Sequence, residues 1–318
     1  MIIEAHELRK TFVSGRGKGN EVEAVRGIDL EVADGEVFAV LGPNGAGKTT
    51  TVRMLATFTP PTSGRALVNG FDIVKQADKV RASIGYVSQS GGVDDLAPAI
   101  ENLMLAGRIA GMSKAQAKAR AEELMEIFAL GEIGNRPART LSGGQKRRFA
   151  VAIGLVAAPP LIFLDEPTTG LDPQNRANLW EEVRKLRAQG TSVLLTTHYL
   201  DEADALCDRL VIVDHGRIVA EGTPEALKKE VAGDVVTVKV ADRIEQARAL
   251  LSAEPYVREV VQEDDLLRAY LDDGERGLPS VLRALDRDGL VIQSITLSRA
   301  TLDDVFLKHT GRSLRDAA

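Results

Sequence analysis

Residues Gly42-Pro43-Asn44-Gly45-Ala46-Gly47-Lys48-Thr49 spell the pattern GxxxxGK[ST], which has a function only between a strand and a helix. Both are written beside it. Glu36-Val37-Phe38-Ala39-Val40 reads as a buried strand, and Thr51-Val52-Arg53-Met54-Leu55 as the first turns of a helix. Glycines let successive backbone N–H groups turn toward one anion, and the helix start adds the positive end of its dipole. Gly42, Asn44, Gly45, Ala46, Gly47, Lys48, Thr49 and Thr50 therefore form a candidate cradle for nucleotide phosphates. In this pattern the lysine reaches the β- and γ-phosphates and the threonine hydroxyl ligates Mg²⁺. The bland alternative is a chance glycine-rich turn before a helix.

Composition narrows the classes. A chain of 318 residues suggests two domains, or one with a large appendage, and 44% hydrophobic residues can bury a substantial core. Only 4% of residues are aromatic, which weighs against a base-stacking platform for nucleic acid. The net charge of -6 supplies no global basic field for DNA, RNA or anionic lipid. Lys146-Arg147-Arg148 is a local basic triplet, read as one solvated helix face. The single cysteine, Cys207, excludes an internal disulfide and fits a reducing compartment. The start Met1-Ile2-Ile3-Glu4-Ala5-His6 turns charged at once, so no signal peptide is expected. The apolar stretch from Val151 to Phe163 is broken by Gly154 and Pro159-Pro160 and is too short to span a bilayer. A soluble, cytoplasmic chain is expected.

Further candidates follow along the chain. Residues 2–8 and 28–32 have strand character, with a flexible basic loop at 14–20 between them. Phe12, just before that loop, is either a core ring or a ring that stacks on adenine. Gln89 closes a strand at Ile84–Val87, and residues 97–130 turn helical. Ser113 and Gln116 read as a capping box. Ser142-Gly143-Gly144-Gln145 opens another helix, offering free N–H groups and a hydroxyl to an anion. Leu161-Ile162-Phe163-Leu164-Asp165-Glu166 reads as a central parallel strand ending in two carboxylates, where open α/β sheets bind ligands. Placed next to each other on a strand, Asp165 and Glu166 would diverge and serve different jobs. Thr191 to His198 is a second buried strand ending in a histidine, which alone would more often be structural. Asp214-His215-Gly216 is a hairpin turn between two further strands.

In this order the segments resemble the nucleotide-binding subunit of an ABC transporter, over residues 1 to about 230. Residues 42–49 are similar to the Walker A loop and 161–166 to Walker B. Leu141-Ser142-Gly143-Gly144-Gln145 is similar to the signature motif, Gln89 to the Q-loop, Gly170-Leu171-Asp172 to the D-loop and His198 to the switch histidine. The resemblance implies a P-loop NTPase cassette: a RecA-like core, an antiparallel β subdomain and a helical subdomain at about 90–150. It also implies ATP and Mg²⁺ as cofactors and a head-to-tail homodimer that sandwiches two ATPs. Ser142, Gly143, Gly144, Gln145 and Asp172 would then face the nucleotide of the partner, and Phe12 would stand at the adenine position, where the family more often has tyrosine. Lys48, Glu166, His198 and Gln89 are the implied catalytic set, with Glu166 polarising the attacking water. Thr49, Gln89 and Asp165 are the implied Mg²⁺ set.

The wording from Thr196 to Pro224, with Leu302-Asp303-Asp304-Val305-Phe306-Leu307 near the end, is similar to the daunorubicin-resistance-type drug exporter ATPases. That implies efflux of a drug-like or lipophilic substrate through a separate polytopic permease, with this chain held at the cytoplasmic face of the membrane and no nucleic-acid partner. A lipid or polysaccharide exporter is the near alternative. A soluble ABC ATPase acting on ribosomes or DNA is the more distant one, disfavoured by a single uninterrupted cassette without heptads.

From 231 to 318 the pattern changes to βαββαβ, which suggests a small α+β ferredoxin-like domain. It contains no phosphate loop, metal-spaced His or Cys, or nucleophile constellation. Asp264-Asp265 and Asp272-Asp273 read as turns. A regulatory or assembly role is the default expectation.

Overall fold

The computed structural model describes residues 1–13, 21–88, 94–231 and 233–313, and divides into two units, Met1–Ile218 and Val219–Ala318. In the first unit β1 (Ile3–Val13) and β2 (Glu21–Val32) lead to β3 (Val37–Leu41), the loop 42–47 and α1 (Lys48–Leu55). Then come β4 (Ser63–Val68), β5 (Phe71–Asp72), α2 (Ala77–Ser83) and β6 (Ile84–Val87). Three helices follow, α3 (Ala99–Ile109), α4 (Lys114–Ile127) and α5 (Gly143–Gly154). After them run β7 (Leu161–Asp165), α6 (Pro173–Ala188), β8 (Ser192–Thr197), α7 (Leu200–Leu206) and β9 (Arg209–Asp214). The division between the units falls within β10 (Arg217–Gly222).

Every residue of β3, β7 and β8 is buried. Strands covered on both faces read as unbroken apolar runs, and these three form the middle of a six-stranded sheet ordered β10-β9-β3-β8-β7-β6. The pairs β9/β3, β3/β8, β8/β7 and β7/β6 are parallel. Parallel register brings their C-terminal ends to one edge: Leu41 lies beside Thr197, Asp165 beside Thr196, and Val87 beside Leu164. That edge is where ligands bind in open α/β sheets.

A second, antiparallel sheet has the order β2-β1-β4-β5. β1 and β2 extend past the expected limits, out to Val13 and back to Glu21. Of the added residues Val25 is buried in the core, but toward the tips Phe12, Val13 and Val22 are exposed, and cross-strand hydrogen bonding with charge pairs such as Arg9 with Glu23 supports that part. Phe12 pairs with Val22 in this extension, and its ring is 44% exposed with Lys10 Nζ 5.2 Å from the centroid. The reading of Phe12 as a core ring does not hold, because both faces of the strand end face water.

The second unit contains α8 (Pro224–Val231), β11 (Asp234–Val240), α9 (Ile244–Ser252), β12 (Val257–Glu263), β13 (Leu266–Leu271), α10 (Gly274–Arg287), β14 (Ile292–Arg299) and α11 (Leu302–Thr310). Its antiparallel sheet has the order β12-β13-β11-β14, which with βαββαβ connectivity is the ferredoxin-like arrangement. Val236, Val238, Leu267, Ala269, Leu251 and Leu285 are among its core residues. α11 starts from a capping box in which Thr301 and Asp304 bond reciprocally. Asp304 is buried and also accepts from Arg268 Nη1 at 2.8 Å and from the Tyr270 hydroxyl at 3.1 Å. Among the described residues no helix is long and apolar enough to cross a membrane.

Candidate active site

β3 delivers the chain into the loop 42–47, and two glycines there cannot be replaced freely. A Cβ on Gly42 would collide with Val213 O, and Gly47 has φ 105 with Ala24 O 2.5 Å from where its Cβ would stand. The loop is clamped from outside by the β9–β10 turn, where Gly216 N donates to Ala46 O at 2.9 Å. Gly42, Ala46, Gly47 and Lys48 are buried, Asn44, Gly45 and Thr49 are exposed, and Thr50 is intermediate.

Lys48 is only 4% exposed. Its ammonium donates to the loop's own carbonyls, Gly42 O at 2.7 Å and Pro43 O at 3.0 Å, and lies 3.4 Å from Glu166 Oε1. Burial pulls the Lys48 pKa below its usual value, while Glu166 and Asp165 oppose that shift.

Asp165 is the last residue of β7 and is 3% exposed. Its Oδ1 accepts from Thr49 Oγ1 at 3.0 Å and from Thr196 Oγ1 at 2.6 Å, and Tyr86 OH reaches its Oδ2 at 3.4 Å. Burial and the Asp165 charge push the Tyr86 phenol up to about 12, so it stays a donor.

Glu166 departs from the strand expectation. β7 stops at Asp165, and Glu166 has φ 46, the left-handed region that few non-glycine residues adopt. Two bonds hold it there: its N–H donates to Thr196 O at 3.2 Å and Thr196 Oγ1 at 2.9 Å. The two carboxylates diverge because of this turn, not because of strand alternation. The Glu166 carboxylate accepts from Thr169 Oγ1 at 3.1 Å, and its Oε1 lies 3.5 Å from His198 Nδ1. His198 Nδ1 is buried and faces that oxygen without a hydrogen bond of its own.

Residues 142–145 cap α5. Ser142 accepts from Gln145 N at 3.3 Å and donates its N–H to Gln145 Oε1 at 2.9 Å. A Cβ on Gly144 would meet the Asn175 side chain, and Asn175 bonds in turn to Asp172, the N-cap of α6. Asn175 N–H groups hold the Asp172 carboxyl below its usual range. Among the described residues no hydrogen bond joins 142–145 to 42–50. Lys48, Thr49, Asp165, Glu166 and His198 therefore converge within this chain, whereas Ser142, Gly143, Gly144, Gln145 and Asp172 form a separate cluster. Gln89 lies outside the described residues.

Two participants were missed from sequence. Thr196 bridges Asp165 and Glu166 N–H, a role detectable only through its register with Asp165. Arg147, placed above on a solvated face, instead donates Nη1 to Ser88 O at 2.9 Å and Nη2 to Asp165 O at 3.0 Å. Burial lowers its pKa to about 10 against the opposing charges of Glu202, Asp165 and Glu166.

The donor set fits Mg²⁺ with a phosphorylated ligand: Thr49 Oγ1 and Asp165 are hard oxygens 3.0 Å apart, and Mg²⁺ takes one or two protein oxygens beside phosphate and water. A cage of three or more His, Cys, Asp or Glu is absent among the described residues.

Residues 25–169 match the profile of the ABC transporter family, and residues 222–310 that of the C-terminal domain of DrrA1-3-like ATP-binding proteins. The daunorubicin/doxorubicin resistance ATP-binding protein DrrA of Streptomyces peucetius is 45% identical, covering 93% of this chain and 91% of its own. The Nod factor export ATP-binding protein I of Cupriavidus metallidurans is 41% identical over 99% of both chains. A dimeric ATP-binding cassette in a post-hydrolysis state with ADP and Pi superposes with a TM-score of 0.64 at 26% identity, covering 70% of this chain and 98% of that one.

Proposed function

Since this chain belongs to the ABC transporter ATP-binding proteins, we propose that Glu166 is the base of its ATPase reaction and that the cargo is a drug-like or lipophilic molecule. The chain is an ATP-binding and ATP-hydrolysing subunit of an ABC exporter. The observation that carries the catalytic reading is the position of Glu166 Oε1, 3.4 Å from Lys48 Nζ and 3.5 Å from His198 Nδ1 at the sheet's ligand-binding edge.

In this reading the loop N–H groups and Lys48 hold the outer phosphates, and Lys48 offsets the charge that builds on them. Glu166 orients water and takes its proton; His198 donates to the terminal phosphate and fixes the angle between them. Thr49 and Asp165, with Gln89, would hold Mg²⁺, whose charge would offset that of the phosphates. Ser142, Gly143, Gly144 and Gln145, with Asp172, would complete the site of a second copy, since they cluster away from the loop of their own chain. Phe12 presents an exposed ring for adenine.

Such a homodimer would sit at the cytoplasmic face of a membrane by docking a separate polytopic permease. The drug-resistance relative supports a drug-like cargo; the Nod factor export relative, nearly as similar over the whole length, favours the second reading of a lipid or polysaccharide cargo. Affinity capture from solubilised membranes should recover a multi-spanning protein. Recovery of ribosomes or DNA without one would overturn the export partner. Glu166→Gln should bind ATP, dimerise and turn over very slowly; near-normal turnover would remove Glu166 from its role.

A further inference from the structure

The Arg147 guanidinium spans the ends of two adjacent strands. Val87 and Leu164 are register partners in the parallel pair β6/β7, and the residues that follow them, Ser88 and Asp165, each offer a main-chain carbonyl. Arg147 donates one Nη to each. A planar fork with fixed donor spacing matches two parallel acceptors in a way a lysine ammonium cannot. Both acceptors are main chain, so the contact reads strand position and not side-chain identity.

Arg147 is the fifth residue after Ser142 on the same helix, about 7.5 Å along the axis. One side chain thus links the helix headed by Ser142 and Gly143 to the peptide between Asp165 and Glu166. The site is an awkward one for a cation, since Nε is buried with no hydrogen-bond partner. An unsatisfied buried donor costs stability, which argues that the fork is needed for its geometry.

We propose that Arg147 is a positioning residue that locks the signature-bearing helix α5 to the ends of β6 and β7, so that the α5 N-terminus is presented correctly to the ATP of a second copy. Nucleotide binding by a single subunit does not depend on it. The proposal rests on the ATP-sandwich reading above, and the test separates the two.

The experiment places Arg147→Lys and Arg147→Gln in the Glu166→Gln background. Three readouts are compared with the Glu166→Gln parent: melting temperature, affinity for a fluorescent ATP analogue in dilute monomer, and dimer formation against ATP concentration by size exclusion with light scattering. Melting temperature should fall modestly in both variants, because two part-buried carbonyls lose their donor, and monomer affinity should match the parent, while the ATP needed for dimerisation rises roughly tenfold or more, as loss of a charge-assisted fork implies. Lysine should not rescue, because it keeps charge and loses the fork. Parent-like dimerisation of both variants overturns the proposal. So does loss of monomer affinity in step with melting temperature, which marks a structural role only. If the Glu166→Gln parent itself stays monomeric with ATP, the sandwich reading fails and the proposal falls with it.

Discussion

Lys48 Nζ and Glu166 Oε1 lie 3.4 Å apart, with their side chains 4% and 10% exposed. A buried ion pair is a poor source of net stability, since desolvation offsets most of the attraction, but breaking one side of it is costly. A phosphate bound in the loop would compete with Glu166 for the same ammonium. The two substitutions should therefore separate. Lys48→Ala removes the ammonium that faces both Glu166 and the incoming phosphates, and ATP affinity should fall by about tenfold or more. Glu166→Gln removes the competing charge, so affinity for ATP should stay level or tighten while single-turnover hydrolysis slows by roughly 10²–10⁴-fold. Titration with an ATP analogue and a single-turnover assay check both.

Gly47 and Gly45 both have positive φ, at 105 and 80, yet only Gly47 has backbone against its missing Cβ. Gly45→Ala should cost about 1 kcal/mol of strain and keep a folded, nucleotide-binding protein. Gly47→Ala adds the Ala24 O contact, which cannot rotate away, and should abolish nucleotide binding and lower the melting temperature further. Thermal unfolding with and without ATP distinguishes them.

Glu202 is fully buried on α7, and Trp180 Nε1 donates to its Oε1 at 3.2 Å. Burial raises its pKa above the usual 4.5, with the Thr197 and Thr168 hydroxyls acting the other way. Above pH 4.5 the folded chain then holds more protons at this site than the unfolded one, so its contribution falls as pH climbs through the raised value. Glu202→Gln keeps an acceptor for Trp180 without the charge. Its melting temperature should exceed the parent's near neutrality by about 2–4 °C for each ~1 kcal/mol removed, and the gap should close toward pH 4.5. A gap independent of pH would show that the carboxylate is not the cause.

Asp304 accepts from Arg268, Tyr270 and Thr301 with 2% exposure, so its removal leaves several donors unpaired together. Asp304→Ala should cost about 3–5 kcal/mol, and Tyr270→Phe, which deletes one donor, about 1 kcal/mol. Scanning calorimetry of the full chain should show the transition of the second unit shifting in that order.

What was legible in the sequence was carried by contiguous segments. The loop 42–49, the buried runs of β3, β7 and β8, the capping box at Ser113, and the βαββαβ order each depend on neighbours a few residues apart, where periodicity and glycine placement act. At Ser142 the sequence announced a helix start, and the structure closes it as a second capping box with Gln145. The tips of β1 and β2 were not, because their apolar residues Phe12, Val13 and Val22 are exposed and cross-strand pairing sustains them. Helices α8 and α11 were passed over as well, because they pack on each other from distant parts of the chain.

The sequence by itself determined that the chain has a phosphate loop, two strand-end carboxylates and a strand-end histidine, because each is a local pattern with a local physical cause. Only the tertiary structure decided that Lys48, Glu166 and His198 meet at one oxygen, since parallel register joins positions more than a hundred residues apart at a common edge. It also turned Glu166 out of its strand through Thr196, and drew Arg147 from a solvated face onto two main-chain carbonyls. A side chain's partners are set by which strands lie side by side, and strand adjacency is a property of the whole sheet.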